Sequence, residues 1–423
     1  MSLRDANGAS GPSVNLRAFP YPYVAAASIT GDLDDLVSRD DFVELVRFWN
    51  TPESTALGPG LDLDLGHSFW FYDATGACDV TIFRGATGEL SENAPLLERL
   101  IRSGHLDCLH TYGDFSTGGF RRELAVRAIE YLRERELEVE VWVNHGWWRG
   151  SPNIQQLGPL AEQLGDDPGS PAYHTDLLIP YGIRFVDHYE IVHTVGQDAR
   201  SSARDRATQA VEVLRYGASA REWRARSIFG NRLVEPWRLG DGRRVYSFKR
   251  FIGKERGLGA AGSRELARAL DGRVLDELKA KGGYMLVYTH PWRNPGGGGL
   301  LAPEAVRALR DLAREHHRGH IFVTTTRKLL TYNVVARSLD WAVSSTAGSI
   351  DIEIRGIDDA LTGRREPSPA ELEGITFYTP EPARTRVLLA AEPIGKLVEN
   401  PPDHTGVPSV TIPAARLPLP PLA

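Results

Sequence analysis

The chain has 423 residues and a formal net charge of −6, with hydrophobic residues at 42% and charged residues at 25%. That length suggests two or three domains, or one large barrel with an attachment, and can bury a large core; the charge gives no electrostatic case for a nucleic-acid partner. Cys78 and Cys108 cannot make a disulfide framework and lack metal-site spacing, no stretch approaches the length of a membrane span, and residues 1–15 lack an apolar signal region, so a cytoplasmic location is expected.

Residues 1–20 read as a flexible lead. Residues 24–30 read as a short buried strand that runs into Gly31, Asp32, Leu33, Asp34 and Asp35. Carboxylates straight after a buried strand are costly unless they face solvent or do something. Asp32 and Asp34, two residues apart in extended chain, would share a face. Phe42, Leu45, Val46 and Trp49 mark an amphipathic helix that Pro52 stops. Residues 67–72 and 79–83 read as strands. Asn93 then caps a helix with Pro95 in its first turn and Leu96, Leu97, Leu100 and Ile101 on one side.

Leu106 and Leu109 carry a short strand that ends on His110, and Gly113 signals a turn. If that turn is helical, Asp114 shares a face with His110. An imidazole and a carboxylate so placed can share one metal ion; the alternative is a solvated loop. Phe120, Leu124, Ala128 and Leu132 give the next helix. Leu137, Val139, Val141 and Val143 alternate as a strand ending at Asn144 and His145. Residues 184–186 form another short strand ending at Asp187 and His188.

Recurring helix and strand with polar strand ends argue for a mainly parallel α/β sheet, whose site lies at the C-terminal ends of its strands. Residues 195–280 interrupt the rhythm as an insertion. Within it, 203–215 read as helical, and 233–239 and 243–252 flank the hairpin signal Gly240-Asp241-Gly242. Residues 283–290 form a buried strand ending in His290. The glycine run 296–299 lacks the Lys and Ser/Thr of a phosphate cradle. Pro303 opens a helix, and 321–326 close the pattern. After Asp340 short strands follow without helices between them, with Ile350, Ile352 and Ile354 alternating. Residues 339–423 therefore read as a small all-β appendage with a Pro-rich tail.

Gly104, His105, His110 and Thr111, preceded by a helix, fall at the spacing of a signature of the polysaccharide deacetylase (NodB-homology, carbohydrate esterase family 4-like) superfamily, and the segment resembles it. Asp114 stands where that signature ends in His. The strand into Asp32-Leu33-Asp34 resembles the family's first signature, and the strand ending in His290 resembles its last. The third signature matches only at Gly146; its arginine is missing, and Arg149 is the nearby substitute.

The resemblance spans about 300 residues and implies an irregular (β/α)7-type barrel over residues 21–338. It implies metal-dependent removal of an acetyl group from an N-acetylated sugar or glycan, with Asp32 as base and His290 as acid. Asp34, His110 and Asp114 would bind a divalent ion, most readily Zn²⁺. His145, Tyr112 and Trp292 would line the carbohydrate pocket, with Trp147 and Trp148 as further stacking rings. Asp187 is a candidate to orient His290, and His145 competes with Asp114 for the ion. A catalytically inactive carbohydrate-binding barrel, and a hydrolase of O-acetyl esters or non-sugar amides, are the rival readings.

Overall fold

The structure is a computed structural model that describes residues 13–33, 38–76, 78, 80–146, 151–154, 164–188, 191–203, 205–207, 210, 231–253, 262–293, 300–346 and 348–423. Its contacts divide the chain into two compact units, Val24–Leu330 with Arg416–Ala423, and Met1–Tyr23 with Thr331–Ala415.

The larger unit is mixed α/β, built on one curled, predominantly parallel sheet. Its strands in chain order are β1 (Ala25–Gly31), β2 (His67–Phe69), β3 (Leu106–His110), β4 (Val141–Val143), β5 (Phe185–Asp187), β6 (Ile191–Val192), β7 (Val234–Arg238), β8 (Arg244–Phe248), β9 (Arg250–Phe251), β10 (Tyr284–Thr289) and β11 (Ile321–Val323). Spatially they run β6-β9-β10-β1-β2-β3-β4-β5-β8-β7. Every ladder is parallel except the β7–β8 hairpin. β1 pairs with β10 along one edge; β11 and then β2 share the other, through Ala25–Ala27 and Gly31.

Helices α1 (Arg39–Asn50), α2 (Ala94–Arg102), α3 (Arg122–Glu134) and α4 (Thr175–Tyr181) separate the first five strands in turn. Each lays an apolar stripe on the core. Phe42, Leu45, Val46 and Trp49 of α1 are fully buried, as are Leu97 and Leu100 of α2. Ser38 caps α1 through Asp41 N–H. Parallel strands covered by helices read as continuous apolar runs, which is why β1 and β3 are buried at every position.

The Gly240–Gly242 turn makes the expected hairpin of β7 and β8, and β8 extends the main sheet beside β5. The run expected as one arm over 243–252 breaks at Lys249: β8 pairs with β5 at one end of the sheet, and β9 pairs with β10 near the other. Phe248 and Arg250 are two residues apart, so about 7 Å of chain spans the two ends. The sheet has to curl on itself for this link to be made. The expected helix over 203–215 falls largely outside the described residues, as do the glycine run 296–299, Trp147, Trp148 and Arg149.

The smaller unit is all-β after a helix, Thr326–Ser338, in which the boundary between the units falls. Leu339–Ser345, Ile350–Asp359, Gly363–Arg365, Thr385–Leu389 and Glu392–Pro393 form one sheet. Ile350, Ile352 and Ile354 alternate inward as their spacing predicts. Asn15–Leu16, Thr376–Tyr378, Ser409–Thr411 and Val398–Asn400 form a second, antiparallel sheet. Residues expected as a free lead thus supply an edge strand. Arg17 anchors it, with Nε 3.0 Å from Asp403 and 3.1 Å from Tyr378 Oη, and Nη1 donating to Phe19 and Pro20 carbonyls.

Candidate active site

The ladder registers place chemical side chains on one face of the curled sheet. Residues paired across a parallel ladder, and residues two apart along a strand, share a face. Thr30 pairs with Tyr288 and Gly31 with Thr289, so Asp32 and His290, one step further, lie side by side past the strand ends. His110 pairs with Val143, and Val143 with Asp187. Asp32, His110, Asp187 and His290 therefore gather at the C-terminal mouth of the sheet.

Asp32 is fully buried, with its backbone N–H donating to Thr289 O at 2.9 Å. Its Oδ2 lies 3.3 Å from Arg250 Nη1 and 3.9 Å from His110 Nε2. Its Oδ1 is buried without a hydrogen-bond partner among the described residues, which leaves that oxygen for water or substrate. Arg250 is fully buried as well, and its Nη2 makes an ion pair with Asp187 at 2.6 Å. The guanidinium also lies over the Tyr288 ring, 4.1 Å from the centroid. The arginine that meets Asp32 is thus Arg250 of β9, not the expected Arg149, which lies outside the described residues. Asp187, a candidate to orient His290, pairs with Arg250.

His110 and His145 meet with ring centroids 4.7 Å apart and planes at 90°. Trp70 covers both, at 5.8 Å from His110 and 5.0 Å from His145. Two Asn153 contacts position His145: Asn153 Oδ1 accepts its N–H at 2.9 Å, and Asn153 Nδ2 donates to its carbonyl at 3.0 Å. Asp114 reaches this cluster by a different route from the one its spacing implied. The turn after β3 is not helical. Thr111 takes φ 49°, and Gly113-Asp114 pair in parallel with Tyr72-Asp73. Gly113, at φ 143°, could carry no side chain, since a Cβ would sit 1.8 Å from Tyr72 O. Asp114 Oδ1 accepts Ser116 N–H at 2.7 Å and lies 3.9 Å from His145 Nε2.

His290 is buried, with Nε2 3.3 Å from Tyr288 Oη. Trp292 is only 8% exposed and lies against His67, centroids 6.2 Å apart. His67 in turn stacks on Trp49 at 4.3 Å, and burial drives its pKa down to about 3. Tyr112, expected to face sugar, points away from solvent. Its ring is fully buried, T-shaped on Trp142 and His174 at 5.2 Å each. The left-handed Thr111 ends the strand's alternation and turns Tyr112 into the core.

His110 lies 3.9 Å from Asp32 and His145 3.9 Å from the half-buried Asp114, and imidazole and carboxylate are donor types that a divalent ion takes. Among the described residues, no group of three or more such side chains is set to hold an ion. Asp34, the expected first ligand, lies outside the described residues.

Fold and site together define a mixed α/β unit with carboxylates, imidazoles and one bridging arginine at its strand ends. Models of known protein families give no match to the chain, and no curated protein matches it significantly. Among the described residues no helix is long and apolar enough to cross a membrane.

Proposed function

We propose that the chain is a metal-dependent hydrolase that removes an acetyl group from an N-acetylated sugar or glycan. The observation that carries this reading is Asp32, held by Arg250 and facing His110, with His290 beside it on the neighbouring strand. The curled, predominantly parallel sheet of the larger unit supports it too.

Asp34 and His110 would hold the ion, with Asp114 and His145 as the further donors. Bound there, the ion would acidify a water and polarise the acetyl carbonyl. Asp32 takes the proton of the attacking water through its Oδ1, which has no hydrogen-bond partner among the described residues. Arg250 fixes that carboxylate by bridging it to Asp187, so the base does not rotate away. His290 supplies the proton that the departing amine needs. Trp70, which covers both imidazoles, keeps bulk water from their faces.

Acetate release from N-acetylated and O-acetylated oligosaccharides, beside elemental analysis of the purified chain, tests the reading. Release from the N-acetyl substrate with bound metal is the expected result. Release from O-acetyl sugars alone would make the chain an esterase. Glycan binding without release would make it an inactive carbohydrate-binding barrel.

A further inference from the structure

β10 is buried along its length except at Tyr288, which is half-buried. His290, two residues on and on the same face, is only 3% exposed. The more accessible of the two groups is therefore the phenol, not the imidazole. Tyr288 Oη lies 3.3 Å from His290 Nε2, with the rings edge to face at 5.0 Å. On its other side the ring is covered by Arg250, whose guanidinium carbon lies 4.1 Å from the centroid. The pairing of Tyr288 with Thr30 puts its side chain on the face that carries Asp32.

We propose that Tyr288 is a further catalytic residue, whose hydroxyl meets the leaving amine while His290 stands behind it as the proton reservoir. The proposal rests on the hydrolase reading above. As the C–N bond of the tetrahedral adduct breaks, its electron pair stays on nitrogen and takes the phenolic proton. The phenolic oxygen takes the proton of His290 Nε2 in the same movement. Tyrosine ends neutral, the imidazole ends neutral, and the amine leaves with one added hydrogen. His290 regains its proton from solvent. The guanidinium against the ring face stabilises the negative charge that builds on the phenol during transfer. An aromatic hydroxyl two residues before the strand-end histidine also narrows the site, so the amine side of the substrate has to fit against the phenol.

The test compares the full-length wild type with Tyr288→Phe, His290→Asn and the double variant. The substrates are N,N′-diacetylchitobiose, whose amine is a poor leaving group, and 4-nitrophenyl acetate, whose phenolate leaves unprotonated. Tyr288→Phe keeps the ring against Arg250 and removes only the hydroxyl. Its kcat on the amide should fall about 10²–10⁴-fold while the aryl ester changes by less than about threefold. The double variant should be no worse on the amide than the poorer single variant, because the two groups act as one unit. Amide activity within about threefold of wild type in Tyr288→Phe would overturn the proposal and leave His290 as the direct donor. Equal loss on both substrates would overturn it too, by assigning the hydroxyl to structure. A wild type that hydrolyses neither substrate would instead remove the hydrolase reading beneath it.

Discussion

Arg250 and Asp187 form an ion pair at 2.6 Å with both side chains fully buried. The same guanidinium reaches Asp32, so one cation serves two carboxylates out of contact with water. Taking one partner from a buried charge cluster leaves the others uncompensated. Arg250→Met should therefore destabilise the larger unit by about 3–5 kcal/mol, read by chemical denaturation. Arg250→Lys keeps a charge but not the planar fork that holds both carboxylates. It should fold, yet lose on the order of 10²-fold in kcat, because a small misplacement of the base is that costly. Wild-type turnover in Arg250→Lys would show that Asp32 needs no such tether.

Metal binding separates the two candidates for the outer ligand. Asp114 and His145 lie 3.9 Å apart, each on its own segment. Calorimetric titration of metal-free protein with Zn²⁺ should show affinity falling roughly 10–100-fold in either Asp114→Ala or His145→Ala. Affinity unchanged in one variant removes that residue from the ion's surroundings. Asp34→Ala should abolish binding, and retained stoichiometric zinc would move the site elsewhere.

Buried imidazoles set the acid side of stability. Burial lowers the pKa of His67 and His188 to about 3, and of His105 and His174 to about 4, from 6.5. These rings stay neutral in the fold while the unfolded chain takes up protons below pH 6.5. Their contribution is thus complete above that pH and lost as pH falls towards 4. Asp107 works the other way. Burial raises it to about 6 from 3.8, so its charged form weakens the fold above pH 6, and the weakening is relieved on acidification. Four rings outweigh one carboxyl, and the urea midpoint should drop between pH 6.5 and pH 4.5. Asp107→Asn should raise the midpoint at pH 8, with the gain shrinking towards pH 4. A gain that grows on acidification would contradict the sign.

Tyr112 divides packing from recognition. Tyr112→Phe should leave KM for any carbohydrate unchanged, because the ring reaches no solvent. Tyr112→Ala should cost about 3–5 kcal/mol of stability from the cavity it opens. A raised KM in the phenylalanine variant would put the hydroxyl in the substrate site.

Strand ends were the legible part of the chain. The run over 24–30 became Ala25–Gly31, and that over 283–290 became Tyr284–Thr289, because an uninterrupted apolar segment stopped by a polar side chain is a purely local signal. The stretch 243–252 looked like one hairpin arm for the same reason. Nothing in its residues says that the ladder changes partner at Lys249, since that choice depends on where β5 and β10 stand. That change of partner is what carries Arg250 to Asp32, and no local pattern marks it. A helical turn after β3 would set Asp114 on the face of His110. The left-handed Thr111 and the short Gly113-Asp114 strand took it beside His145 by another path.

The two units are interleaved along the chain, and this bears on synthesis at the ribosome. Asn15 pairs with Tyr378, which is made hundreds of residues later. At about 5–20 residues per second the N-terminal strand waits roughly 20–70 s for its partner. The larger unit's sheet is complete as far as β11 well before then, so it can mature while the edge strand is still unpaired. Excising either unit as a continuous fragment removes a piece of it. An internal deletion that joins residue 23 directly to residue 331 and ends at residue 415 should give the all-β unit as an independently folding product.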